Sequence, residues 1–189
     1  MNGRKKIATA AVAAIATVTV ATAFAAPANR TFSAGQFELG FGGSESVSKG
    51  LKVKPRGTIK DINVEVALQN QQNSDYVLLL QHPTGKTIHL SSGNGGTGNG
   101  YGSGQGCGST VTFDDDATND IEDTEGINTL LFGSYQPEEV NENVNEKGLD
   151  DLVGLKLNGK WRLVATNTEP TGVAELECFK IEAKYKTAN

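Results

Sequence analysis

The nine residues Lys60-Asp61-Ile62-Asn63-Val64-Glu65-Val66-Ala67-Leu68 constrain this chain most. Ile62, Val64, Val66 and Leu68 alternate with Asp61, Asn63, Glu65 and Ala67. A period of two suits an extended strand with one dry face and does not suit a helix. The same signature returns in short pieces. Tyr76-Val77-Leu78-Leu79-Leu80 is continuously apolar, as a central strand is. His82-Pro83-Thr84-Gly85 is a turn, because Pro83 presets φ and Gly85 takes the fourth place. Ile88 and Leu90 alternate in the returning strand. Val111 and Phe113, Leu130-Leu131-Phe132, Trp161 to Ala165 after Asn158-Gly159, and Leu176 to Ile181 running on to Tyr185 complete the set. No long stretch carries a helical period. Many short strands punctuated by Gly, Asn and Pro predict an all-β chain, a jelly-roll-like β-sandwich of about eight to nine strands.

Between these strands lie weaker signals. Residues 93–108 hold nine glycines, which predicts a long surface loop without strand or helix. Ser134-Tyr135-Gln136-Pro137 reads as a bend. Leu149, Leu152 and Leu155 are spaced by three, which suits one helical turn. Residues 26–45 are small and Gly-rich, so they read as a tether and first edge segment, with the sandwich over 46–189. Residues 1–25 have the form of a secretory signal. Arg4, Lys5 and Lys6 precede an apolar run, and Ala23-Phe24-Ala25 has the small-x-small form of a cleavage site. The expectation is a secreted chain with no membrane insertion after cleavage.

The chain has 17 basic and 22 acidic residues, and three of the basic ones sit in the signal. The mature chain then has 14 against 22, a net charge of −8. That balance disfavours nucleic acid and anionic membranes as partners. In an oxidising compartment the two cysteines, Cys107 and Cys178, suggest a disulfide; the other reading is a buried thiol and a free loop thiol.

Asp114, Asp115 and Asp116 follow Phe113 at once, and three adjacent carboxylates repel one another. Calcium takes six to eight oxygens and would offset that charge, with Asp75 from a neighbouring loop as a further ligand. Alternation puts Asp114 and Asp116 on one side and Asp115 on the other. The other reading is a turn in which one Asp accepts backbone N–H bonds and the rest are solvated. Offsets across 114–125 mimic an EF-hand loop, but Asn119 stands where that loop needs Gly.

In order, Ser74-Asp75-Tyr76-Val77-Leu78-Leu79-Leu80, His82-Pro83-Thr84-Gly85-Lys86-Thr87, Thr112-Phe113-Asp114-Asp115-Asp116-Ala117, Gly133-Ser134-Tyr135-Gln136-Pro137 and Asn158-Gly159-Lys160-Trp161-Arg162-Leu163 resemble the P domain, or Homo B domain, of subtilisin-like proprotein convertases and bacterial secreted serine proteases. The resemblance covers about residues 57–185 and departs from the usual pattern at Ser74, Tyr76, Ala174 and Phe179. It implies an accessory, non-catalytic module that packs on and stabilises a protein partner, such as a secreted protease, with structural calcium in some members. A carbohydrate- or surface-binding module on the same architecture is the other reading. For catalysis in its own right the chain offers little. His82 and His89 read as two surface histidines, and no Gly-x-Ser-x-Gly elbow accompanies them.

Overall fold

The computed structural model describes residues 26–102, 106–138 and 148–187. The signal sequence read at 1–25 lies outside them. Eleven strands form two sheets that face each other across one apolar core. The strands are β1 (Ala28–Gly42), β2 (Ser46–Val53), β3 (Gly57–Asn70), β4 (Tyr76–Gln81), β5 (Thr87–Ser92), β6 (Gly100–Tyr101), β7 (Val111–Phe113), β8 (Asn119–Asp120), β9 (Gly133–Gln136), β10 (Gly159–Asn167) and β11 (Val173–Thr187). The first sheet runs β1-β11-β3-β7-β9-β8, with β6 also on β3; the second runs β2-β10-β4-β5. This is the expected all-β sandwich.

The alternation at 60–68 does what it predicts. Ile62, Val64, Val66 and Leu68 are buried in the centre of β3, flanked antiparallel by β11 and β7. Across the core, Tyr76, Leu78 and Leu80 of β4 and Trp161, Leu163 and Ala165 of β10 are fully buried. Trp161 donates its indole N–H to the Leu157 carbonyl at 2.8 Å, so the largest core side chain is also satisfied. Leu149 and Leu152 anchor the 3₁₀ turn Gly148–Leu152 against the core, the predicted helical turn.

Four local expectations change. Most of the tether at 26–45 is the 15-residue edge strand β1, paired antiparallel with β11. Its half-buried Phe32, Phe37 and Leu39 pack against the core, which is why a Gly-rich segment extends rather than dangles. The glycine-rich loop is not all surface, because Tyr101 is fully buried and β6 pairs with β3. Its glycines serve close packing: a Cβ at Gly98 would stand 2.1 Å from the Thr129 carbonyl oxygen. The apolar run Leu130-Leu131-Phe132 makes only an isolated bridge at Leu131 and leaves Phe132 48% exposed. The strand is instead Gly133–Gln136, read as a bend, which lies parallel to both β7 and β8. A pleated partner supplies hydrogen bonds that residue preference alone does not foretell.

Candidate functional site

The three aspartates close a tight turn at the end of β7. Ala117 N–H donates to the Asp114 carbonyl, and Asp116 N–H donates to Asp114 Oδ1 at 2.9 Å. Asn63 Nδ2 donates to Asp114 Oδ2 at 3.2 Å from the neighbouring strand β3. Asp115 faces the other way. Its two carboxylate oxygens accept the backbone N–H groups of Leu149 and Asp150, so it caps the 3₁₀ turn that follows residue 147. Burial pushes the Asp115 carboxyl up to about 6, against the pull of those two N–H bonds and with help from Asp150 and Asp114. Asp116 is exposed.

The side Asp114 and Asp116 share also holds Asp61 of β3. Burial, then the charges of Asp114 and Asp116, raise the Asp61 pKa. These three carboxylates present only oxygen, the donor type that calcium takes. Among the described residues, however, no three His, Cys, Asp or Glu side chains converge closely enough to grip a metal ion. Asp75 stands elsewhere, in the 3₁₀ turn Asn73–Asp75 before β4. Its Oδ1 accepts from Gln72 Nε2 at 3.0 Å, and its carbonyl accepts the Thr168 N–H and hydroxyl.

Cys107 and Cys178 are joined in a disulfide across 71 positions. A β-bulge in β11 between Leu176 and Cys178 inserts Glu177 and reverses the facing of the strand. Leu176 and Phe179 therefore both reach the core, while Cys178 meets the loop at Gly106–Gly108. Glu177 is buried and accepts from Gln69 Nε2 at 3.0 Å and from the Gly106 N–H at 3.1 Å. Disulfide and carboxylate together pin the glycine-rich loop to the sheet.

His82, expected at the surface, is only 2% exposed. Its ring stands edge-on to Trp161 with centroids 4.6 Å apart. The Thr84 N–H donates to Nδ1 at 3.1 Å, and Nε2 donates to the Lys156 carbonyl at 3.0 Å. The turn after β4 and the segment before β10 are thus tied by one neutral imidazole. Burial lowers its pKa, partly countered by the Lys156 carbonyl and reinforced by Lys86. Gly159 makes room for this knot: at φ +144°, its Cβ would meet Pro83 Cβ at 2.5 Å.

The feature that sequence reading missed is a separation of charge. The four strands of the second sheet contain four basic residues, Lys49, Lys52, Lys160 and Arg162, and no acidic one. The acid-free stretches extend beyond the strands, over residues 46–60, 76–113 and 152–168. Lys52 and Lys160 oppose each other directly across β2 and β10, and Gly50 opposes Arg162. A groove of roughly 720 Å³ lies there, lined by Ser48, Gly50, Lys52, Gly159, Lys160 and Arg162. A second hollow of roughly 400 Å³ is lined by Arg56, Gly57, Thr58, Lys156 and Asn158. Inward of the groove, Val77, Leu79 and Val164 are half-buried on the same outer face. Runs of sequence without Asp or Glu were the signal available for this face.

No family model and no curated protein matches the chain. Solved structures similar to it in part include the following two. One is a complex of the Aeromonas sobria serine protease with the chaperone ORF2, at 14% identity and TM-score 0.44, covering 86% of this chain and 28% of that one. The other is the serine protease of Aeromonas sobria, at 11% identity and TM-score 0.45, covering 84% of this chain and 27% of that one. This chain therefore spans little more than a quarter of the chains it matches.

Proposed function

We propose that the chain is a secreted, non-catalytic binding module of the P-domain kind, which docks on a protein partner and stabilises it. A secreted subtilisin-like serine protease is the partner class that the ordered motifs of residues 57–185 suggest. The observation that carries a docking role is the outer face of the second sheet, whose four strands hold Lys52, Lys160 and Arg162 and no acidic residue, on a chain that is acidic as a whole. Like charges opposed across two strands cost stability unless something else is gained. His82 supports the non-catalytic part, since both its ring nitrogens are already committed.

The test is to mix the purified mature chain with a subtilisin-like catalytic domain lacking its own P domain. Co-elution and a higher melting temperature of the protease are expected, with no hydrolysis of peptide or ester substrates by the isolated chain. Turnover by the isolated chain would end the non-catalytic reading. Glycan binding without any protein complex would move the module to the carbohydrate class.

Calcium belongs to the same proposal at one corner only. Asp61, Asp114 and Asp116 are the oxygen donors that would be drawn together there, while Asp115 and Asp75 keep their protein partners. A thermal melt in EDTA and across a calcium titration is expected to show a saturable rise, diminished in Asp116→Asn. A flat melt through millimolar calcium would leave the run as a turn and a cap.

A further inference from the structure

We propose that the β2–β10 seam binds an extended acidic segment of the partner protein, one carrying an aliphatic side chain followed by carboxylates at alternate positions. The inference rests on the docking role proposed above and names the chemistry of what docks. Along β10 the outward side chains are, in order, Val164, Arg162 and Lys160. Successive outward positions on a strand repeat at roughly 7 Å, and an extended peptide has the same repeat. A strand-like segment lying along β10 can therefore place one apolar side chain at Val164 and two carboxylates at Arg162 and Lys160. Lys52, directly opposite Lys160, supplies a second cation to the outer carboxylate. Lys54, Arg56 and Lys156 extend the positive field past the strand ends, all exposed.

Among the described residues, no ion pair engages Lys52, Lys160 or Arg162. The ion pairs Lys86 with Asp151 and Lys180 with Glu65 both lie outside the seam. Gly50 keeps the floor of the groove low, since a Cβ there would come within 3.1 Å of Lys160 Cε. The apolar neighbours Val164 and Leu79 favour a peptide over a sulfated glycan. The outward positions of the four strands carry no Phe, Tyr or Trp for a sugar or a base to stack on, because Tyr76 and Trp161 point into the core.

The test uses the mature chain and a fluorescein-labelled peptide with two Val-Thr-Glu-Thr-Glu repeats. Its controls are the same peptide with Gln for Glu, and a heparin oligosaccharide. Fluorescence anisotropy is expected to show binding of the Glu peptide that weakens about tenfold or more between ~50 and ~300 mM salt. The Gln peptide should bind at least about tenfold more weakly. The triple variant K52E/K160E/R162E should lose the Glu peptide while melting normally, and the milder R162Q should weaken it in the same direction.

Equal binding of the Gln peptide, or undiminished binding by a folded triple variant, would overturn the inference. So would capture of heparin without the Glu peptide, which would assign the seam to anionic glycans. If the triple variant still forms the protease complex, the acidic-segment inference falls and the docking module stands. If the Glu peptide binds but no protein complex forms, the seam stands and the protease partner falls.

Discussion

Asp115 and His82 have opposite effects on stability as pH changes. Asp115 has its carboxyl raised to about 6 in the folded chain from an unfolded value near 3.8. The folded state holds that proton more tightly. The stabilisation is therefore complete below the unfolded value and lost as pH rises through about 6. Asp115 is only half-buried, so screening by solvent reduces the effect. His82 has its pKa lowered, so its contribution is whole above about pH 6.5 and declines as pH falls below that. Melts between pH 7 and 5 are expected to separate the two. Asp115→Asn should remove a gain on acidification, and His82→Ala should remove a loss. His82→Ala should also cost roughly 2–4 kcal/mol at pH 7, since it empties a packed site beside Trp161 and orphans the Thr84 N–H. A chemical denaturation curve would measure that cost, and a change below ~0.5 kcal/mol would contradict the packing argument.

Strands were legible where one face is dry. Ile62, Val64, Val66 and Leu68 announce β3 because burial on one side selects every second residue. The bulge at Glu177 was legible only in retrospect. The inward apolar residues of β11 run Ala174, Leu176, then Phe179, Ile181, Ala183 and Tyr185, and the one step of three marks the inserted residue. Strand β9 could not be read, because Gly-Ser-Tyr-Gln owes its conformation to parallel neighbours distant in sequence. Buried His82 was missed because the sequence does not say that Trp161 lies over the turn. The aspartate run folds as a turn rather than the extended segment that strand alternation assumes, and the backbone N–H groups of residues 149 and 150 as partners of Asp115 were not readable. At this scale the disulfide is the element that holds the glycine-rich loop. Replacing both cysteines by Ser is expected to cost roughly 2–4 kcal/mol. Amide exchange at residues 100–102 and 106–110 should rise before that at β3 or β10. Equal protection in the variant would mean that Glu177 and Tyr101 hold the loop unaided.

At the scale of the molecule, net charge alone was a poor guide to the surface. A chain with more acid than base still carries a sheet whose strands hold no acidic residue, because those strands are gathered from separate parts of the sequence. One further property of the fold concerns its ends. Ala28, opening β1, lies directly opposite Tyr185, near the close of β11, and Tyr185 in turn pairs with Ile59 just beyond Gly57 and Thr58. Those last two residues line the hollow that also holds Arg56 and Lys156. Anything covalently joined before β1 or after β11 would leave the sandwich from one rim, beside that hollow. An acidic segment attached there through a short flexible linker would meet Arg56 and Lys156 at an effective concentration of the order of millimolar. The fold is thus disposed to act as an insertable cassette, and tethering alone can turn a weak contact into an occupied one.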